Sequence, residues 1–130
     1  MKALADGGVP LLLGTDANSA GVLPGQSAHK ELRLLVDVGL TPFQALSTGT
    51  RNAGQFIIRH VPTADSFGVV AVGRRADPVL LGANPLEDIN NTTDILGVMA
   101  RGRWLTKAEL ARRRDDVASR YKAGELKPRH

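Results

Sequence analysis

Residues 9–18 read VPLLLGTDAN, an apolar run that ends abruptly in small polar residues. Several consecutive apolar residues between turn formers are typical of a strand buried on both faces, as in parallel sheets covered by helices. Asp16 then lies at the carboxyl end of the strand, where parallel α/β folds bind their ligands. Its carboxylate is a candidate metal ligand or proton carrier, and the alternative is that it only caps the following turn.

The composition of the chain restricts its class. A chain of 130 residues is one domain by the usual expectation and can bury a core. The absence of cysteine excludes disulfides and thiolate metal sites, and it favours a reducing compartment. Residues 1–8 lack the apolar centre of a signal peptide, and no apolar run approaches the length of a membrane span. We therefore expect a cytoplasmic protein with no membrane partner.

The basic character of the chain lies near its C-terminus. Residues 101–130 hold ten Lys and Arg against four Asp and Glu, whereas residues 1–100 hold seven against nine. Such a segment can bind nucleic acid, but it offers only Trp104 and Tyr121 for stacking on bases. A solvated helix face is the favoured interpretation, and nucleic acid is an unlikely partner.

Helix-start patterns dominate the first half of the chain. Ser27 predicts a cap for a helix over residues 28–38, and Thr41 followed by Pro42 and Gln44 predicts a capping box. Thr50 predicts a further start. We expect these residues to define helix starts and not to take part in catalysis or binding.

His29 and Glu31 fall in the first turn of the helix predicted after Ser27. Neighbours two apart point to different faces of a helix, so the two side chains do not form a ligand pair. His29 is a candidate substrate contact near the loop after Asp16, and a surface or supporting role is the alternative that the sequence favours.

Strand patterns replace helical ones after residue 66. Pro78 removes a ladder donor, so its strand lies at an edge or begins after that residue. Thr106 and Glu109 predict a capping box for a helix that ends at Gly124. The predicted strands are residues 67–72, 77–81, 96–100 and 103–105, with a hairpin turn at residues 101–102.

Seven short motifs follow one another in a specific order. They are LLGTD (12–16), PG (24–25), HxEL (29–32), GLTP (39–42), TxNA (50–53), a glycine-rich stretch ending in AD (68–77) and NPLEDI (84–89). This series resembles the C-terminal portion of the amidohydrolase superfamily. The likeness is greatest to the branch that contains imidazolonepropionase and metal-dependent Xaa-Pro or Xaa-Arg dipeptidases, and it covers about residues 3–110.

The resemblance implies an α/β fold in three parts. Residues 1–64 would be the last β/α unit of a metal-dependent-hydrolase (β/α)₈ barrel, and residues 65–106 the C-terminal strands of a small β-sandwich. Residues 107–130 would form a basic helix and tail.

The resemblance also implies a function, the hydrolysis of C–N bonds in an amide, cyclic amide or dipeptide substrate, with Zn²⁺ or another divalent metal as cofactor. Asp16 matches the family's aspartate after the eighth strand, which ligates a metal and shuttles a proton. A metal acidifies bound water, and a nearby carboxylate can carry the released proton to the leaving nitrogen. Asn18 and His29 are candidates for positions near the substrate.

The other metal ligands of the family precede the position of Asp16: a His-x-His, a mid-barrel lysine or glutamate, and two further histidines. This sequence has histidine only at positions 29, 60 and 130. A catalytic metal needs about three protein ligands, and a closed barrel takes about 250 residues. We therefore expect a C-terminal fragment that alone binds no metal, is inactive, and self-associates or pairs with the missing part of the barrel. The alternatives are a non-catalytic module that completes a barrel with a separate chain, and a basic interaction domain.

Overall fold

The computed structural model describes residues 1–17, 24–61 and 63–124. Its elements within these ranges are α1 (Lys2–Asp6), α2 (Gln26–Asp37), α3 (Pro42–Gly49), α4 (Arg51–His60), β1 (Val79–Leu81), a 3₁₀ turn (Ile89–Thr93), β2 (Ile95–Ala100), β3 (Arg103–Thr106) and α5 (Lys107–Lys122). None of the helices in this described part combines the length and apolar character needed to cross a membrane.

The start of α3 confirms the predicted capping box. Thr41 Oγ1 accepts a hydrogen bond from the Gln44 amide at 3.2 Å, and Gln44 Oε1 accepts one from the Thr41 amide at 2.8 Å. Pro42 occupies the first helical position, where its missing N–H is not needed. This helix start depends only on residues close in sequence, which is why it was predictable.

Of the other two helix starts predicted in the first half of the chain, the Ser27 cap is wrong, whereas α4 begins directly after Thr50 as predicted. α2 begins at Gln26 after Gly25, whose φ of +87° lies in the left-handed region that glycine adopts without strain. The turn at Gly25 therefore starts the helix before Ser27 can cap it. Thr50 does precede α4, but its hydroxyl donates to the Leu46 carbonyl at 2.8 Å instead of capping the new helix.

The buried core belongs to the helical half of the chain and to the 3₁₀ turn. α2 packs against α3 and the 3₁₀ turn, and Leu11 and Leu13 pack against the core from the side. The core residues are Leu32, Leu35, Leu40, Ala45 and Ile89.

Residues 9–13, called here the extended segment, run along one side of this core. The Leu13 amide donates to the Thr48 carbonyl at 3.3 Å, and Asn52 Nδ2 donates to the Leu11 carbonyl at 3.0 Å. Val9 and Leu12 remain 47% and 43% exposed. The prediction of a strand buried on both faces is therefore wrong, because no strand among the described residues pairs with this segment and only one face is covered.

The only sheet in the described part of the chain is antiparallel, in the order β1–β2–β3. Arg101 and Gly102, with φ of +49° and +79°, form the predicted hairpin turn between β2 and β3. β1 begins directly after Pro78, as its missing donor requires. At the end of β3 the Thr106 hydroxyl accepts from the Glu109 amide at 3.2 Å and starts α5, which confirms half of the predicted capping box. The Glu109 carboxylate pairs with Arg103 and Arg113 instead.

Residues 67–72 do not form the predicted strand. Their beginning is anchored, because a Cβ atom on Gly54 would lie 2.2 Å from the Phe67 carbonyl oxygen, so α4 touches the backbone there. Beyond that point Val70 and Val72 are fully exposed. A strand needs a neighbour to accept its ladder hydrogen bonds, and the described residues supply none to this stretch.

Candidate functional site

Asp16 lies in the turn of residues 14–17 that follows the extended segment, called here the Asp16 turn. Its φ is +48°, a left-handed conformation that aspartate tolerates better than most residues. The residue is exposed. The structure thus places a carboxylate at the carboxyl end of the apolar run, where the sequence predicted it.

Glu31 of α2 contacts the Asp16 turn directly. Its Oε1 accepts a hydrogen bond from the Gly14 amide at 3.0 Å. Its other oxygen, Oε2, is buried and has no hydrogen-bond partner within the described ranges, and the same is true of Ser27 Oγ one helical turn earlier. The half-buried Glu31 side chain therefore links α2 to the turn that carries Asp16.

Sequence reasoning missed this contact, because it considered Glu31 only as a possible partner of His29. The sequence does contain a signal that Glu31 faces the protein interior. Glu31 precedes the buried Leu35 by four residues, so the two share one face of α2. A charge on the buried face of a helix needs a polar partner, and here the partner is a backbone amide 17 residues away.

His29 points to a different neighbour. Its Nδ1 lies 3.0 Å from the Thr92 hydroxyl, which itself donates to the Ile89 carbonyl at 2.8 Å. Because the Thr92 hydroxyl donates its hydrogen to the Ile89 carbonyl, it accepts the hydrogen bond from His29, and Nδ1 carries the hydrogen. His29 and Glu31 therefore diverge, as their spacing predicted. The role of His29 near a substrate stays a prediction, and Asn18 lies outside the described residues.

The described residues do not fit a complete metal site. Nowhere in residues 1–17, 24–61 and 63–124 do three or more His, Cys, Asp or Glu side chains cluster so that they could hold an ion. His60 instead stacks on the Phe56 ring in α4, with 4.4 Å between the ring centres. Asp16 can supply one ligand, whereas zinc sites use about three from protein. No reaction step through a metal is assigned to these residues.

A cavity of about 240 Å³ lies beside the start of the extended segment. Val9, Leu11 and Leu40 form part of its apolar wall, and the Arg51 guanidinium lies 5.7 Å from the centre of the Phe43 ring at its rim. Asp16 and Glu31 are not among its lining residues. The cavity is therefore separate from the Asp16 turn.

Asp77, which belongs to one of the seven motifs, has a structural role. Its carboxylate accepts a hydrogen bond from the Arg101 amide at 2.6 Å and another from Arg75 Nε at 2.5 Å. These bonds, the first more than the second, lower the pKa of Asp77 below its ordinary value. The bond from the Arg101 amide ties Asp77 to the β2–β3 turn.

The model of the amidohydrolase family matches residues 1–105. Ochratoxinase from Aspergillus niger is 37% identical over 83 residues, which are 63% of this chain and 16% of that protein.

Two solved structures share the fold. Molinate hydrolase aligns with a TM-score of 0.68 at 28% identity, over 79% of this chain and 25% of that one. A crystal structure described as an amidohydrolase aligns with a TM-score of 0.60 at 22% identity, over 81% and 24%. The chain thus spans a quarter or less of the length of each of these relatives. Since the family model matches four-fifths of its residues, this chain belongs to the amidohydrolase family.

Proposed function

We propose that this chain is the C-terminal part of a metal-dependent amidohydrolase that cleaves C–N bonds, and that it is inactive alone. The observation that supports this most directly is that the family match covers residues 1–105, although the described residues contain no complete set of metal ligands. Asp16 is the one carboxylate that the chain would bring to the active site, and the preceding part of a barrel would bring the others.

The open face of the extended segment supports the same proposal. Leu11 and Leu13 alternate with Leu12, so strand geometry directs the backbone groups of Leu12 to the edge opposite Thr48 and Asn52. That edge suits a neighbouring parallel strand, and the exposed Leu12 side chain lies on the face opposite Leu11 and Leu13, where further residues can cover it. We propose that barrel strands of an amidohydrolase occupy it, whether they belong to the same polypeptide or to a separate one.

The chemistry proposed for Asp16 is that of a proton carrier. Its carboxylate takes a proton from the water that attacks the carbonyl carbon, and it passes this proton to the nitrogen as the C–N bond breaks. The products are a carboxylic acid and an amine. Exposure of Asp16 at the end of the apolar run is compatible with both transfers.

The substrate proposed is a small molecule or dipeptide with an amide-type bond. The order of motifs favours the branch with imidazolonepropionase and the dipeptidases, whereas the relatives found are named for ochratoxin and molinate. All of these are small substrates. Zn²⁺ is the metal we propose to test first.

The test is to co-express the chain with the barrel region of ochratoxinase that precedes the matched residues. Dipeptide and amide hydrolysis is assayed with Zn²⁺ for the chain, for the barrel region and for the pair. Activity is expected only in the pair. Asp16→Asn should lower kcat by about 10²–10⁴-fold, the range for loss of a general acid–base group.

Asp37→Asn is the matched control, because Asp37 is an exposed carboxylate at the end of α2. Two results would contradict the proposal. One is stoichiometric zinc and hydrolysis in the chain alone. The other is a pair that keeps full activity with Asp16→Asn.

A further inference from the structure

The half-buried Glu31 side chain, which bonds the Gly14 amide, is the feature that carries a further inference. We propose that Glu31 is a positioning residue, whose hydrogen bond to Gly14 holds the Asp16 turn in the conformation that presents the Asp16 carboxylate. The inference rests on the function proposed for Asp16. Its test does not, because it is made on the backbone of the turn.

The hydrogen bond itself is of a strong kind. The acceptor is a carboxylate, and charge-assisted bonds are about twice as strong as neutral ones. Oε2 is shielded from solvent, whereas the bond from the Gly14 amide to Oε1 lies near the surface. The bond joins α2 to a turn 17 residues away, so it sets a tertiary distance rather than a local one.

The backbone is held from two helices at consecutive residues where the extended segment passes into the Asp16 turn. The Leu13 amide donates to Thr48 of α3, and the Gly14 amide donates to Glu31 of α2. The two bonds therefore form a clamp that ties this stretch of backbone to both helices.

The backbone of Asp16 shows why such a clamp is needed. Its φ of +48° is unfavourable for a residue with a side chain, and such conformations persist only where the surroundings impose them. The amide of Gly14 matters here, not its lack of a side chain. A Cβ on Gly14 would meet no heavy atom within 4 Å among the described residues.

The test is amide hydrogen exchange measured by NMR on the full 130-residue chain. Glu31→Ala should speed exchange at Gly14 by about tenfold or more. The left-handed φ of Asp16, followed by its three-bond HN–Hα coupling and its Cα and Cβ shifts, should be lost in the same variant. Glu31→Gln keeps an acceptor oxygen and should restore most of the protection at Gly14.

Two controls separate positioning from general stability. The Leu40 amide, bonded to the Leu35 carbonyl at the end of α2, should keep its protection in Glu31→Ala. Asp37→Ala, which removes an exposed carboxylate from the same helix, should change neither Gly14 nor Asp16.

Unchanged exchange at Gly14 in Glu31→Ala would overturn the proposal. So would an equal loss of protection at Gly14 and Leu40 that Glu31→Gln does not relieve, because it would mean a general role in folding. Neither result bears on whether Asp16 acts in hydrolysis. Conversely, an assembled hydrolase that stays active with Asp16→Asn would overturn the proposed function and leave the hydrogen bond standing.

Discussion

The extended segment and the β2–β3 hairpin have similar sequence patterns but different structures. Both are apolar runs bounded by turn residues. β2 pairs with β1 on one side and β3 on the other. One face of the extended segment packs against helices, and the segment pairs with no strand among the described residues. Val9 and Leu12 are about half exposed.

The difference lies in the distance to a partner along the chain. β3 follows β2 after a two-residue turn, so closing the hairpin costs little loop entropy. A parallel strand needs a crossover connection and neighbours from elsewhere in a barrel. Residues 67–72 show the same outcome at the other end of the fold, with Val70 and Val72 in solvent.

The largest expected effect compares a core leucine with a leucine of the extended segment. Leu40 is 3% exposed, so Leu40→Ala should lower the free energy of unfolding by about 2–5 kcal/mol. Leu12 is 43% exposed, so Leu12→Ala should cost less than about 1 kcal/mol. Urea unfolding followed by circular dichroism measures both. Equal losses would show that the open face is covered in solution, and repeating the measurement at two protein concentrations would reveal self-association.

A second prediction compares two glycines. A Cβ on Gly97 of β2 would lie 2.2 Å from the Trp104 ring, so Gly97→Ala should destabilise by about 1–3 kcal/mol through overpacking. Gly14→Ala meets no such obstacle from the described residues and should change stability by less than about 0.5 kcal/mol. Fluorescence of Trp104, the only tryptophan, reports the first change. Comparable losses in the two variants would mean that the turn is packed as tightly around Gly14 as the hairpin is around Gly97.

A third prediction tests the local cap that follows the hairpin. Thr106→Ala removes the hydroxyl that accepts from the Glu109 amide, and it should cost about 1 kcal/mol and reduce the helix content of α5. Thr50→Ala is the matched control, because that hydroxyl does not cap α4. Circular dichroism and thermal melting measure the pair. A larger loss from Thr50→Ala would contradict this assignment of caps.

The smallest expected effect concerns pH. The Arg101 amide and then Arg75 lower the pKa of Asp77 in the folded protein, so the carboxylate stabilises the fold fully above its unfolded pKa of about 3.8. That contribution is lost as the pH falls through the lower, folded value. The melting temperature should therefore fall less steeply below pH 4 in Asp77→Asn than in the parent chain. Asp37→Asn should melt like the parent, and parallel curves for all three would refute the assignment.

Part of the candidate site was predictable from sequence. Asp16 ends an apolar run, and its position at the carboxyl end of an extended segment follows from that pattern alone. The divergence of His29 and Glu31 follows from helix periodicity. The contact between Glu31 and Gly14 did not follow, because it depends on how α2 lies against a turn 17 residues away.

The sequence by itself determined the features whose hydrogen bonds and backbone geometry involve only residues close together in the chain. These are the Thr41 capping box, the Arg101-Gly102 hairpin turn, the start of β1 after Pro78 and the start of α5 at Thr106. Each depends on backbone geometry and hydrogen bonds between near neighbours, so residue type alone specifies it.

Tertiary structure decided which apolar runs became strands and which carboxylate reached the Asp16 turn. An apolar run has the same pattern whether or not a neighbour lies beside it, and only packing supplied neighbours to β2 while leaving one face of the extended segment open. Likewise, the contact between Glu31 and Gly14 depends on how α2 packs beside that turn. Pairing and burial are properties of distant surfaces brought together, and local residue patterns do not contain those distances.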